Sequence, residues 1–216
     1  MNKKIQITFA ASLLAMAGAA VAADAGSGFY GGLSVGQSTY RADKGGIDNS
    51  LSAGAGITDL SSTLDNKDTG YKLRLGYSFN PYLAVEGGYM NFGKMKYSGA
   101  FTSPAAGDAG GTIKAQGINV DVVGKLPLTS ELSAFGKAGV LFSKVSSDAS
   151  ANVAGLTVSD SATSRKAVPG LGLGLEYALA RNVSLRGEWE RYYKLGNDST
   201  GKGDVDLLSA GLNVKF

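Results

Sequence analysis

The chain of 216 residues is 44% hydrophobic and 18% charged, contains 32 glycines and carries a net charge of +3. Its length suits one domain or two small ones, and its charged share lies below the roughly 25% of an average soluble protein. With no histidine and no cysteine, Ser-His-Asp and Cys-His catalysis, His-ligated or thiolate-bound metal, histidine pH switching and disulfide bonding are all excluded.

The first segment reads as an export signal. Lys3 and Lys4 precede a mostly apolar run over 5–17, and small residues lead to Ala20-Val21-Ala22 and Ala23 before Asp24. A basic start, a short apolar stretch and an A-x-A-type site are the three parts of a secretory signal peptide. The expected division is a signal peptide at 1–22 and a mature domain at 23–216, with the cut after Ala22 or Ala23 left open. Removing Lys3 and Lys4 with no acid lowers the net charge from +3 to +1. Nucleic-acid binding thereby loses its global support. No later apolar run is long enough for a membrane-spanning helix.

From Gly28 onward the pattern has period two. Leu73-Arg74-Leu75-Gly76-Tyr77, Ile118-Asn119-Val120-Asp121-Val122, Leu171-Gly172-Leu173-Gly174-Leu175 and Val183-Ser184-Leu185-Arg186 alternate oily with small, polar or charged residues. Such spacing predicts strands with one greasy face. Eight are expected, at 28–39, 69–79, 82–92, 112–125, 132–146, 163–179, 182–194 and 204–216. Each is about 11 residues or longer, enough for a tilted strand to cross hydrocarbon. The connections at Asn80-Pro81, 127–131 and Ala180-Arg181 are short. Those at 40–68, 93–111, 147–162 and 196–203 are long and rich in Gly, Ser, Asp, Asn and Ala. An even strand count, tight turns at one end and long loops at the other predict an all-β, eight-stranded antiparallel up-and-down transmembrane β-barrel.

Alternation alone also permits a soluble barrel with its oily face inside. The export signal, low charge and unequal loops favour the membrane form, whose closure removes every strand edge from lipid. Parity then places Lys72, Arg74, Glu86, Asp121, Lys137, Glu176, Arg186, Glu188 and Glu190 on the inner face. Gly76, Gly88, Gly139, Gly172, Gly174 and Gly211 leave room there for long side chains. Charges in a narrow lumen must pair, because desolvation is costly, so an interlocked network is expected.

Four segments carry a family resemblance: GYKLRLGYSFNPYLAVEGGYMNFGKMK from Gly70, KAQGINVDVVGKLPLTSELSAFGKAGVLFSK from Lys114, GLGLEYALARNVSLRGEWERY from Gly172, and LLSAGLNVKF at the end. The Asn80–Tyr89 stretch, the KAQG strand, the Leu175-Glu176-Tyr177 triplet and the closing aromatic resemble the eight-stranded transmembrane domain of the OmpA family. The resemblance implies a barrel-only relative, without the peptidoglycan-binding domain of the large members. It implies export to the outer membrane with help from periplasmic chaperones and the barrel assembly machinery. That machinery would read the stripe Leu208, Ala210, Leu212, Val214 and Phe216. It also implies a pair between Glu86 and Arg186. In the family the glutamate switches to a first-strand lysine, but that position is Ser34 here. The lysine partner of Glu176 is likewise replaced by Val123. Arg74, Lys72 or Lys137 are the expected substitutes.

A further set, Lys94, Lys96, Lys144, Arg165, Lys166, Arg191 and Lys194, falls where strands meet the long loops. It is either a rim for lipopolysaccharide phosphates or an ordinary solvated edge. Three other patterns are set aside. Gly170–Gly174 lies within a strand, unlike a nucleotide loop; Asp204-Val205-Asp206 reads as a solvated loop end rather than a cation site; the Asn182 and Asn197 sequons carry little meaning in such a chain. Barrel enzymes of this architecture rely on histidine, so no enzyme, cofactor, metal or nucleic-acid partner is expected. The expected role is structural and interactive, through membrane integrity and surface contacts of the long loops with a cell-surface or host ligand. The alternative is a narrow gated pore for water, ions or small solutes.

Overall fold

A computed structural model describes residues 27–55, 57, 59–103, 105–197 and 199–216. The expected signal peptide at 1–22 lies outside them. The elements in chain order are β1 (Gly28–Arg41), α1 (Lys44–Ala55), β2 (Ser61–Asp65), β3 (Lys67–Ser78), β4 (Leu83–Phe101), β5 (Gly107–Pro127), β6 (Leu132–Val153), β7 (Leu156–Ala178), β8 (Val183–Leu195) and β9 (Gly203–Lys215).

Alternation drives the closure. On β3 every second residue from Gly70 to Ser78 is buried, and those between face outward. Each ring strand pairs antiparallel with the next, and β9 closes on β1 through Leu33↔Leu212, giving a ring of eight strands. β2 stands outside the ring sequence and continues the line of β3 along the upper part of β4. Leu75, Val120, Leu173 and Leu212 are each half or more exposed on the outer wall, at 63%, 51%, 63% and 50%. Exposed large hydrophobics on this scale need an apolar solvent. Aromatic side chains flank the band, with Phe29, Tyr77 and Phe79 in edge-to-face contact below and Tyr71 beside Tyr89 above. This is the girdle pattern of a bilayer-spanning barrel.

The short turns form one end. Asn80 Oδ1 accepts from the backbone N–H groups of Tyr82 and Leu83 at 2.8 and 2.9 Å, a side-chain-capped turn. At the other end the long connections differ from expectation. Residues 93–111 and 147–162 are not irregular loops but tall hairpins. β6 and β7 pair up to Val153↔Leu156, joined by Ala154-Gly155 with φ of 52° and 83°, the positive pair of a tight hairpin turn. Both faces meet water there, so small polar residues replace the oily ones while the ladder continues. The connection over 40–68 contains α1 and β2.

The lumen also departs from expectation, because it is not filled by ionic side chains and glycines alone. Tyr30, Ala84, Val123 and Phe135 form a buried apolar layer near the turn end. A larger layer including Met90, Phe92, Leu141, Tyr192 and Leu207 fills the upper part. The ionic side chains lie between. Gly76 is required by this packing, since a Cβ there would lie 2.3 Å from the Tyr30 ring.

Candidate functional site

The inward positions of β3 to β8 bring four cations and four carboxylates into the middle of the lumen. Lys72, Arg74, Lys137 and Arg186 face Glu86, Asp121, Glu188 and Glu190, all buried. Arg186 reaches Glu86 with both terminal nitrogens, at 2.5 and 3.1 Å. It touches Glu188 at 3.2 Å and stacks over Phe135 at 3.8 Å. Tyr30 donates its hydroxyl to Glu86 at 2.7 Å. Arg74 donates to Glu188 at 2.8 Å, to Ser34 at 3.1 Å and, through Nε, to Asn213 at 2.9 Å. Lys72 pairs with Glu188 and, at 2.7 Å, with Glu190. Lys137 lies 3.0 Å from Glu188 and 3.7 Å from Asp121, and also pairs with Glu190. Tyr192 donates to Glu190 at 2.9 Å.

Glu188 is the hub, because all four cations contact it. The Glu86–Arg186 pair that the resemblance implies is formed, whereas the central place of Glu188 was not legible. Its four partners come from two other strands, β3 and β6, as well as its own, and only closure brings them together. At the missing first-strand lysine, Ser34 accepts from Arg74. Glu176 corrects an expectation. Its nearest cation is Lys125 at 3.8 Å, not Arg74, Lys72 or Lys137, although Arg186 stands 4.0 Å away. Lys125 shares the parity of Asp121 on β5, a signal sufficient to find it. Val123, at the other replaced position, belongs to the lower apolar layer.

A second set of charges rings the outside near the upper end of the apolar band. Lys94 and Lys96 on β4 are exposed, and Lys144 faces Arg165 across β6 and β7. A bulge positions Lys94. Gly93 has φ of 69°, Asn91 Oδ1 accepts from its N–H at 2.8 Å, and Asp68 Oδ2 accepts from the N–H of Lys94 at 2.8 Å. Three further bases join this level that parity and strand extension reveal only with the structure: Arg41 on β1, Lys67 on β3 and Lys114 on β5, the last directly opposite Lys94. Followed round the tilted ring, the ladder registers bring these residues to a similar height.

Three expected rim residues are placed differently. Lys166 is exposed but falls on the inward register, between buried Ser164 and Val168. Arg191 lies lower, beside Trp189 at 5.1 Å, and is bound to Asp206 at 2.6 and 3.1 Å. Lys194 sits at φ of 55° in the bulge between Tyr192 and Leu195, outside the alternation. Arg41 shares Asp206 at 2.7 Å, so this carboxylate serves two guanidinium groups. In β9, Leu208, Ala210 and Leu212 are exposed outward, and Val214 and Phe216 are half-buried on the same parity. The Phe216 N–H donates to the Phe29 carbonyl at 2.9 Å.

A closed antiparallel ring, oily outside and ionic within, with tight turns at one end and tall hairpins at the other, is an integral outer-membrane β-barrel. Residues 24–216 match the OmpA-like transmembrane domain, and the chain belongs to that family. It resides in the outer membrane. Outer membrane protein A of Serratia marcescens is 29% identical over 216 residues, covering 99% of this chain and 56% of the relative. The Salmonella typhi protein of the same name is 30% identical over 217 residues, with 99% and 55% covered. The chain thus spans about half the length of the curated relatives it matches. Among solved structures it is similar to neisserial surface protein A, at 17% identity and TM-score 0.49, covering 88% of this chain and 99% of that one. It is also similar to OprG of Pseudomonas aeruginosa, at 15% identity and TM-score 0.49, with 88% and 96% covered.

Proposed function

We propose that the barrel is a sealed structural element of the outer membrane that presents its tall hairpins for surface contacts. The observation that carries this reading is the lumen: four cations and four carboxylates, all buried, lie between two apolar layers. An ion crossing it would have to break pairs whose separation leaves buried charge uncompensated. A rigid wall supporting exposed connections is also the usual setting for recognition. The outward bases Lys94, Lys96, Lys114, Lys144 and Arg165 form a belt for lipopolysaccharide phosphates, an attraction that salt weakens. Chaperones and the barrel assembly machinery act before this stage, the latter on the stripe ending at Leu212, Val214 and Phe216. The 1–22 segment serves as the export signal.

One observation favours a narrow pore instead. Asn119 Oδ1, Ser209 Oγ and Asn213 Nδ2 are buried without a hydrogen-bond partner, and such groups ordinarily recruit water. Planar-bilayer recording of the wild type and of Glu86→Ala separates the two. A sealed barrel gives no unitary steps in either protein, whereas steps in the wild type establish the pore. Binding of cells expressing hairpin deletions to host surfaces tests the contact role, which fails if every deletion binds like the intact protein.

A further inference from the structure

Above the ionic layer the barrel opens into a cup of about 890 Å³. Its volume lies within the roughly 300–1,000 Å³ range of small-molecule sites. The walls come from β1 and from β4 to β9, and α1 covers one side through Gly46 and Ile47. Tyr40, Met95, Tyr97, Ile113, Val145 and Val205 are among the apolar and aromatic side chains of its lining. The floor is closed beneath them by Phe92 and Tyr192, in edge-to-face contact at 5.5 Å, and by Leu141, which is fully buried. The cup is therefore a terminus and not the mouth of a passage.

The lining is fixed before any ligand arrives. The Tyr40 hydroxyl donates to the Gly93 carbonyl at 3.1 Å, and the Tyr97 hydroxyl to Asp48 Oδ1 at 2.6 Å. Ser62 also donates to Asp48, at 2.8 Å, so a single carboxylate pins α1 over the cup. The apolar surface continues upward along the inner side of the β6–β7 hairpin, where Val158 is 69% exposed. These residues gain nothing by facing water, and the neighbouring bilayer lies outside the barrel wall.

Chemistry selects the occupant. Phenol rings and the Met95 thioether favour flat aromatic molecules, through offset or edge contacts and sulfur–ring contacts. Charge offers an ion little hold: the lining carboxylates Asp43, Asp160 and Asp204 already accept from the N–H groups of Gly45, Ser161 and Lys194, Lys202 stands among them, and the Arg41 guanidinium is turned outward to Asp206. We propose that the cup is a binding site for a small, uncharged aromatic molecule entering from outside the cell. The proposal stands apart from whether the lumen conducts, since the floor lies above the ionic layer.

The test uses the intact barrel in lipid nanodiscs, methyl-labelled at methionine, with indole as the probe. Among the described residues the methionines are Met90, buried beneath the cup, and Met95 in its wall. The expected result is a saturable indole-dependent shift of the Met95 methyl signal. Val145→Trp fills the cup from β6, and Ile113→Trp fills it from β5. Whichever folds, judged by unchanged heat-modifiable migration, is expected to lose the saturable shift. Should neither filled variant fold, competition of indole by phenol at Met95 replaces them, with a lowered apparent indole affinity expected. Three results would overturn the proposal: no shift in the wild type, a linear shift without saturation, or a shift retained in a folded cup-filled variant. An unchanged indole affinity in the presence of phenol would do the same.

Discussion

Replacing Glu188 by glutamine tests the hub of the ionic layer. In the wild type, Arg74 has Glu188 as its one carboxylate among the ion pairs of the described residues, and its side chain is 1% exposed. Glu188→Gln therefore strands a buried guanidinium. Lys72 and Lys137 keep Glu190, and Arg186 keeps Glu86. Breaking a buried pair on one side costs about 3–5 kcal/mol, a large part of the roughly 5–15 kcal/mol that stabilises a typical fold. Glu86→Gln strands no cation, because Arg186 retains Glu188. It weakens charge-assisted hydrogen bonds and is expected to cost about 1.5–3 kcal/mol. Combining Glu188→Gln with Arg74→Met removes the stranded charge and should restore about 2 kcal/mol or more of the loss. Urea unfolding of barrels refolded into vesicles measures all four proteins, with the single tryptophan, Trp189, as reporter and gel migration as a second probe. Equal losses for Glu188→Gln and Glu86→Gln would refute the hub, as would the absence of any recovery on adding Arg74→Met.

The α1 anchor responds to acid. A hydrogen bond from Lys44, with others from Tyr97 and Ser62, lowers the Asp48 pKa from 3.8 to about 2. A depressed carboxylate contributes stability that is complete above its unfolded pKa and is lost as pH falls through the folded value. Protection of the α1 amides against deuterium exchange, measured relative to the intrinsic rate at each pH, should therefore fall between about pH 4 and about pH 2, and Asp48→Asn should show low protection already at neutral pH. Identical profiles for the two proteins would remove the anchor. Deleting Phe216 should reduce the heat-modifiable barrel in outer-membrane fractions, and an unchanged yield would count against the terminal stripe as an assembly signal. Neutralising Lys94, Lys96, Lys114, Lys144 and Arg165 together should lower lipopolysaccharide co-purification and flatten its salt dependence. Equal recovery with wild type at every salt concentration would dispose of the belt.

The spanning parts of the strands were legible because each must present one face to hydrocarbon, which writes a period of two into the sequence. Residues 118–122 show this plainly, and their alternation in the structure is the one expected. Their extensions above the membrane were not legible, because Gly110, Ser150 and Ser161 meet water on a ladder that oily alternation no longer marks. The inward charges followed from parity, but their partners did not. Contacts such as Lys72 with Glu190 join residues 118 positions apart and depend on the shear of the closed ring. The upper apolar layer was missed for a related reason. Met90, Phe92 and Tyr192 were visible as oily residues, but parity puts them inside, and an inner face was expected to be polar. Lys166 was misplaced through its position beside Arg165, where alternation sends neighbours to opposite faces.

A nitroxide scan along 118–123 of β5 tests the orientation of the wall most directly, since the chain has no native cysteine. Labels at Ile118, Val120 and Val122 should be mobile and relaxed by oxygen dissolved in lipid. Labels at Asn119, Asp121 and Val123 should be immobile and shielded both from oxygen and from a water-soluble nickel complex. A reversed alternation, with 118, 120 and 122 shielded from lipid, would contradict an oily exterior around a sealed ionic centre.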